Sequence, residues 1–231
     1  MAPVLNEREK IGSVIDRVPS DVVDEVVIVD DGSTDGSPDL CRSLGATVIE
    51  LGRTVGVGAA IRTGYRYAIE CGFDVAVVMA GNNKDAPEEV QLLLDPIADD
   101  KADLVQGSRW LEPSSDFGEM PAYRKVATRL HPWLFGIVSG MKMTDTTNGF
   151  RAARVSMLED PKLDLDQSWL DEYELEVYLL YKAAKLGYRV IEVPVTKRYP
   201  PKELGQTKMK PITGWWSILR PLVLLGMGIK K

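Results

Sequence analysis

Histidine and cysteine are scarce in this sequence: His131 stands alone, and the thiols are Cys41 and Cys71. One histidine argues against a Ser-His-Asp hydrolase and against a multi-histidine metal centre. Two cysteines without metal-ligand spacing give no disulfide framework and read as thiols kept in a reducing compartment. Long apolar runs are missing too. None reaches the roughly 18–20 residues that a membrane-spanning helix requires, and the opening residues do not read as a secretory leader. There is no basic excess: the net charge is −6, which argues against a protein that tracks nucleic-acid phosphates. Repeats and low-complexity linkers are absent. The 231 residues therefore read as one α/β domain, residues 1–212, followed by an apolar tail, residues 213–231.

What is present is a rhythm. Short apolar runs at residues 25–29, 46–51, 75–79 and 103–107 alternate with helical stretches at 34–44, 58–71 and 87–97. The runs stop at turn residues, as buried parallel strands do, and Gly45 and Gly72 close the helices before them. The pattern predicts a doubly wound, mostly parallel sheet. Further helices are expected at 123–139 and 170–186, and a strand at 189–195 whose Pro194 suits an edge. Residues 1–7 look like the end of a first strand whose body is missing, so the sheet is expected to lack most of one central strand. The tail begins near Trp215-Trp216 and ends with Lys230-Lys231. It is too short to span a bilayer. Its tryptophan and lysine flanks suit a membrane interface; core packing is the alternative, since Arg220 and Pro221 interrupt a clean amphipathic helix.

In an open α/β sheet, ligands bind beyond the carboxyl ends of the strands. That rule selects residues 3–7, 30–35, the glycines after Leu51, and 80–85. Asp30-Asp31-Gly32-Ser33-Thr34-Asp35 is the most informative stretch. Adjacent acids at a strand end can accept hydrogen bonds from a base and a ribose, while Ser33 or Asp35 also serves as an ordinary helix cap. With Val27-Ile28-Val29 before it and Pro3-Val4-Leu5-Asn6-Glu7 at the start, it resembles the nucleotide-binding signature of family 2 glycosyltransferases. Gly107-Ser108-Arg109-Trp110, Asp145-Thr146-Thr147-Asn148-Gly149-Phe150-Arg151 and Glu192-Val193-Pro194-Val195 continue the resemblance. Gly205-Gln206-Thr207-Lys208 is similar to the Gly-x-Ser-Lys segment of dolichyl-phosphate mannose synthases and related polyprenyl-phosphate glycosyltransferases. Gly56-Val57-Gly58 is also half of a dinucleotide fingerprint, but Ile61 replaces its third glycine.

The resemblance implies a GT-A fold, a nucleotide-diphosphate sugar as donor and a lipid phosphate as acceptor. It further implies a cytoplasmic enzyme held peripherally at the inner face of a membrane. By the same resemblance, Pro3, Leu5, Glu7, Val29, Asp31, Arg53, Gly56, Ala59, Gly81, Asn82 and Arg124 border the nucleotide. The family usually carries Asp-x-Asp after the strand ending at Met79, to bind a divalent cation on the diphosphate. Aligned on Pro87-Glu88-Glu89, the two acids here become Ala80 and Asn82, and the Gln that often follows becomes Lys84. Three readings stay open. Lys84 supplies the charge in place of a metal; or Mg2+ or Mn2+ binds through Asn82, Asp85 and the phosphates; or the chain binds a nucleotide sugar without transferring it. A phosphate acceptor is already ionised and needs no strong base. It needs cations, for which Arg109, Arg124, Arg198 and Lys208 are the candidates; by resemblance Arg198 and Lys208 face the acceptor. A hydroxyl acceptor would need a base, Asp145 first, then Glu172 or Glu174.

Overall fold

The computed structural model describes residues 1–111, 117–199 and 213–230, without the side chains of 213–215. Lys208 and the segment around Gly205 lie outside the described residues. In chain order the elements are β1 (Ala2–Val4), α1 (Arg8–Asp16), β2 (Val27–Asp30), α2 (Ser37–Ser43), β3 (Thr47–Glu50), α3 (Val57–Glu70), β4 (Val75–Val78), α4 (Val90–Ala98), β5 (Leu104–Ser108), α5 (Ala122–Ser139), β6 (Arg151–Arg154), α6 (Val155–Leu158), α7 (Glu174–Leu186), β7 (Val190–Pro194) and α8 (Thr213–Gly226).

Strands arise where the apolar runs are covered on both faces; β2 and β5 are buried along their whole length. One ladder runs β1-β2-β3, all parallel. The other runs β4-β6-β5-β7, with β6 antiparallel to β4 and β5, and β7 parallel to β5 at the edge, where Pro194 costs no ladder bond. Met1 joins the two. Its amino group donates to the Val77 carbonyl at 2.6 Å, and its carbonyl accepts from the Met79 amide at 3.1 Å. The strands thus follow one another as β3-β2-β1-β4-β6-β5-β7, and the chain changes direction across the sheet between β1 and β4. That is the switch point at which an open sheet leaves a crevice beyond its carboxyl ends. β6 is not foreseen from Arg151-Ala152-Ala153-Arg154, which has no β-branched residue; burial between β4 and β5 makes it a strand. β1 has three residues. At the other end of the sheet, below Met1, a cavity of about 760 Å³ opens between β2 and β4, lined by Val27, Tyr67, Phe73 and Val75 among others.

Helices cover both faces. Tyr65, Leu175, Tyr178 and Leu180 anchor one core layer, and Ile11, Leu93, Ile97 and Phe150 the other. Each such side chain contributes about 1.5–3 kcal/mol on burial. α8 runs through both Arg220 and Pro221 rather than breaking there, and packs against α5 and α7. A Cβ on Gly226 would come within 3.2 Å of Val138, so α8 and α5 lie close. The one histidine is structural. His131 is buried in α5, donates from Nε2 to the Ile218 carbonyl at 3.2 Å, and accepts at Nδ1 from Thr146 Oγ1 at 2.6 Å. Burial lowers its pKa, in keeping with a neutral ring. Among the described residues no helix is long and apolar enough to cross a membrane.

Candidate functional site

A crevice of about 650 Å³ opens at the switch point. Pro3, Leu5, Glu7, Asp31 and Gly56 line one side, and Gly81, Asn82, Lys84 and Arg124 the other. Of the residues expected beside the nucleotide, Val29, Arg53 and Ala59 are not in the lining. Val29 and Ala59 are buried in the structure behind it, and Arg53 is exposed.

The paired acids at the end of β2 divide their roles. Asp30 turns back on its own loop, its Oδ2 accepting from the amides of Gly32 at 3.1 Å and Ser33 at 2.9 Å. Asp31 reaches across to the next loop, accepting from the amides of Val55 at 2.7 Å and Gly56 at 3.1 Å. Burial holds its carboxyl above the ordinary range, against the opposing pull of these two amides. The first loop is stitched to the same turn. Ser33 Oγ accepts from the Asn6 amide, and Asn6 Oδ1 accepts from the Thr34 amide, both at 2.8 Å. The glycines after Leu51 serve a close approach, not a pyrophosphate. A Cβ on Gly58 would lie 2.1 Å from the Leu170 carbonyl oxygen, and one on Gly56 2.3 Å from that of Asp171. The Ala59 amide, which could open an anion site at the start of α3, donates instead to Asp171 O at 3.0 Å. The half fingerprint is therefore not a dinucleotide site.

The segment after β4 carries the departure from the family pattern. It lies flat against β1, because a Cβ on Gly81 would come within 2.8 Å of Val4 Cγ2. Lys84 is buried, with its Nζ 5.4 Å from the ring centre of Tyr199. The Arg124 guanidinium lies 5.8 Å from the same ring. Burial, then repulsion from Lys197, Arg124 and Lys10, pulls the Lys84 amine down to about 7, with Glu7 opposing. Tyr199 is itself buried and fixed at both ends. Its amide donates to Phe117 O at 3.0 Å, and its hydroxyl accepts from Arg109 Nη1 at 2.8 Å. Sequence reasoning missed Tyr199 and Lys197; no motif marks either, and only the fold brings them to the crevice.

Contrary to expectation, Arg109 and Asp145 do not line the crevice; they lie behind it. Both are buried, with Arg109 Nε 2.5 Å from Asp145 Oδ2 and Nη2 3.2 Å from Oδ1. Asp145 also caps its own turn through the Thr147 amide at 3.1 Å. Glu192 supports that turn by accepting from the amides of Thr144 at 2.7 Å and Asp145 at 2.8 Å. The Asp145–Arg151 and Glu192 motifs thus form a scaffold that presents Thr146, Thr147, Gly149 and Arg151 to the crevice. Arg198 is exposed and outside the lining, though its amide donates to Lys84 O at 2.8 Å. Glu172 lines the crevice, while Glu174 is buried with Arg220 3.5 Å away.

The residues present do not suit a divalent cation. Ala80 has no ligand atom, and Asn82 Oδ1 accepts from the Lys84 amide at 3.3 Å. Both Asp85 oxygens already have partners: Oδ2 accepts from the Ala80 amide at 3.2 Å, and Oδ1 from Lys197 Nζ at 2.6 Å. Lys197 also donates to Asn148 Oδ1 at 2.8 Å. An ammonium thus stands beside the carboxylate that a metal would use. Among the described residues no three of His, Cys, Asp and Glu cluster closely enough to hold a metal ion, and hard cations select anionic oxygens.

Comparison with known proteins gives the family and the fold. Residues 1–160 match the model of glycosyl transferase family 2. The undecaprenyl-phosphate mannosyltransferase of Micrococcus luteus is 36% identical over 219 residues, covering 90% of this chain and 85% of that protein. The polyprenol monophosphomannose synthase of Mycolicibacterium smegmatis is 33% identical over 214 residues, covering 90% and 78%. Among solved structures, glucosyl-3-phosphoglycerate synthase from Mycobacterium tuberculosis, in complex with Mn2+, UDP and glucosyl-3-phosphoglycerate, superposes with a TM-score of 0.66 at 23% identity. The alignment covers 100% of this chain and 79% of that one, and it shares the GT-A fold. The chain belongs to glycosyl transferase family 2.

Proposed function

We propose that this family 2 glycosyltransferase moves a sugar from a nucleotide diphosphate onto a polyprenyl phosphate, with Lys84 taking the place of the usual metal. The names of the two relatives support the acceptor class. The observation that carries the reading is the far wall of the crevice, where Lys84 and Arg124 flank Tyr199 in place of an Asp-x-Asp pair. No nucleic acid enters this reading; the partners are a nucleotide sugar, a lipid phosphate and a membrane surface on the cytoplasmic side.

The donor's base and ribose lie by Asp31 and residues 3–7, and its diphosphate runs toward Gly81 and Lys84. An oxygen of the acceptor phosphate attacks the anomeric carbon and forms the new C–O bond. The bond to the diphosphate breaks in the same step, with inversion, and the electron pair leaves on the nucleoside diphosphate. The acceptor arrives ionised, so no base is needed. The demand is for positive charge on the leaving oxygen and between two anions. A fixed cation in a buried site meets it more effectively than one in water. Arg109 and Asp145 act at one remove, by holding Tyr199.

Transfer of label from a panel of nucleotide sugars to undecaprenyl or dolichyl phosphate, with and without EDTA, tests the proposal. EDTA-insensitive transfer is expected. Transfer that EDTA abolishes would restore a metal and remove Lys84 from that role. Nucleotide binding without transfer to any acceptor would make the chain a silent binding module.

A further inference from the structure

Helix α5 turns a row of large apolar side chains away from the core. Val126 is 68% exposed, Leu130 51%, Trp133 64% and Ile137 64%. At 100° per residue these four fall within about 60° of one another, and exposed Tyr123 borders the row. The opposite side, with Thr128, His131, Pro132 and Phe135, is buried. Single surface hydrophobics are ordinary, but a contiguous row marks an interaction site. The same helix carries Arg124, Lys125 and Arg129 and no acid, in a chain of net charge −6. The neighbouring α8 repeats the apolar row, with Trp216 and Val223 exposed and Met227 exposed just past its end, and again no acid in the helix.

We infer that the α5 row, with α8 beside it, is the surface by which the protein lies on an anionic bilayer. The inference deepens the lipid-phosphate reading and rests on it for the link to the crevice. Sequence alone pointed to the tail and not to α5. An apolar row flanked by lysine and arginine, with tryptophan and tyrosine in it, is what an interfacial helix presents to lipid. A second copy of the chain is the other conceivable occupant. A two-fold contact would set Lys125 and Arg129 against their own images, with no acid on α5 or α8 to answer them. Anionic headgroups answer them directly. The row also meets the crevice, because Arg124 of α5 and Ser217 and Ile218 of α8 line it. A phosphate at the membrane surface then reaches the crevice while its chain stays in the apolar phase.

Co-sedimentation of the full chain with phosphatidylcholine vesicles, with and without phosphatidylglycerol, tests this. Binding to the anionic vesicles is expected, weakening as salt rises. Trp133→Ser/Ile137→Ser and, separately, Lys125→Glu should each lower partitioning roughly tenfold. All three positions are exposed, and transfer to a short-chain, water-soluble polyprenyl phosphate should stay at the parent's rate. No vesicle binding by the parent, or unchanged binding in both variants, overturns the inference. So does a dimer in sedimentation velocity that the Trp133 variant dissociates. Vesicle binding that the variants lose, in a protein that transfers sugar to no lipid phosphate, upholds the docking surface and removes the lipid-phosphate reading instead.

Discussion

On the Asp31 side of the crevice the paired acids are held by backbone amides: Asp31 by Val55 and Gly56, Asp30 by Gly32 and Ser33. On the far side the site is held by side chains stacked in depth, an ion pair at the back. Asp145 grips Arg109, Arg109 holds the Tyr199 hydroxyl, and the Tyr199 ring faces Lys84 and Arg124. Losing a carboxylate on the amide-held side leaves neutral N–H groups without an acceptor, a moderate cost. The charge-held side loses more, because removing one member strands an ion in a medium that solvates ions poorly. The largest expected effect tests this difference. Asp145→Ala should destabilise the fold by about 3–5 kcal/mol by leaving the buried Arg109 without its paired carboxylate. Asp31→Ala should cost about 1–3 kcal/mol while removing nucleotide binding. Chemical denaturation of both variants, with nucleotide titration of the folded protein, measures the contrast. Equal stability losses would dissolve it.

The same contrast decides how much the residues foretold. The Asp31 side is local: the Asp30–Asp35 turn, the Asn6 loop and the strand ends are short segments whose character shows in five or six letters. Strand–helix alternation gave the crevice its place, and nine of the proposed residues line it, from Pro3 to Arg124. The far side is assembled across the chain. Arg109 meets Tyr199 ninety residues on, and Asp85 meets Lys197 across 112. No spacing rule couples such positions. Arg109 and Asp145 therefore read as crevice residues in the sequence, whereas both are buried outside its lining. β6 escaped for a related reason, since only its neighbours make Arg151–Arg154 a strand.

Next in size is the loss expected when the cation itself is removed. Lys84→Ala should lower kcat by about 10²–10³-fold, the scale of losing one preorganised electrostatic group at a transition state. Donor affinity should fall less, because Asp31 and the first loop are untouched. Steady-state kinetics with the best donor separates the two. An unchanged kcat would move the catalytic charge elsewhere on the far wall.

The pH dependence comes third. Lys84 is pulled down to about 7, by burial first and then by Lys197, Arg124 and Lys10, with Glu7 opposing. In the free protein the amine is therefore neutral above that value, although in the unfolded chain it stays charged to its ordinary range. A bound diphosphate favours the charged form, so above pH 7 binding takes up a proton. Donor affinity should weaken by up to about tenfold per pH unit as pH rises from 7. Calorimetry in two buffers of different ionisation heat reads the proton directly. Lys84→Arg should flatten the slope, because a guanidinium stays charged throughout. A flat slope in the parent would show that Lys84 does not face the phosphates.

Tyr199 gives the smallest effect and the finest discrimination. Its ring touches both cations, and its hydroxyl only takes a bond from Arg109. If the far wall works through the ring face, Tyr199→Phe should keep donor affinity within about twofold, while Tyr199→Leu should weaken it by about 3–10-fold, the scale of one or two cation–π contacts. Leucine should also shift the pH profile of binding downward, since the ring favours the charged amine. A purely structural tyrosine would lose stability in both variants and leave that profile where it was. The pair therefore separates a ring that aims two charges from a ring that merely fills space, which unfolding data alone would not do.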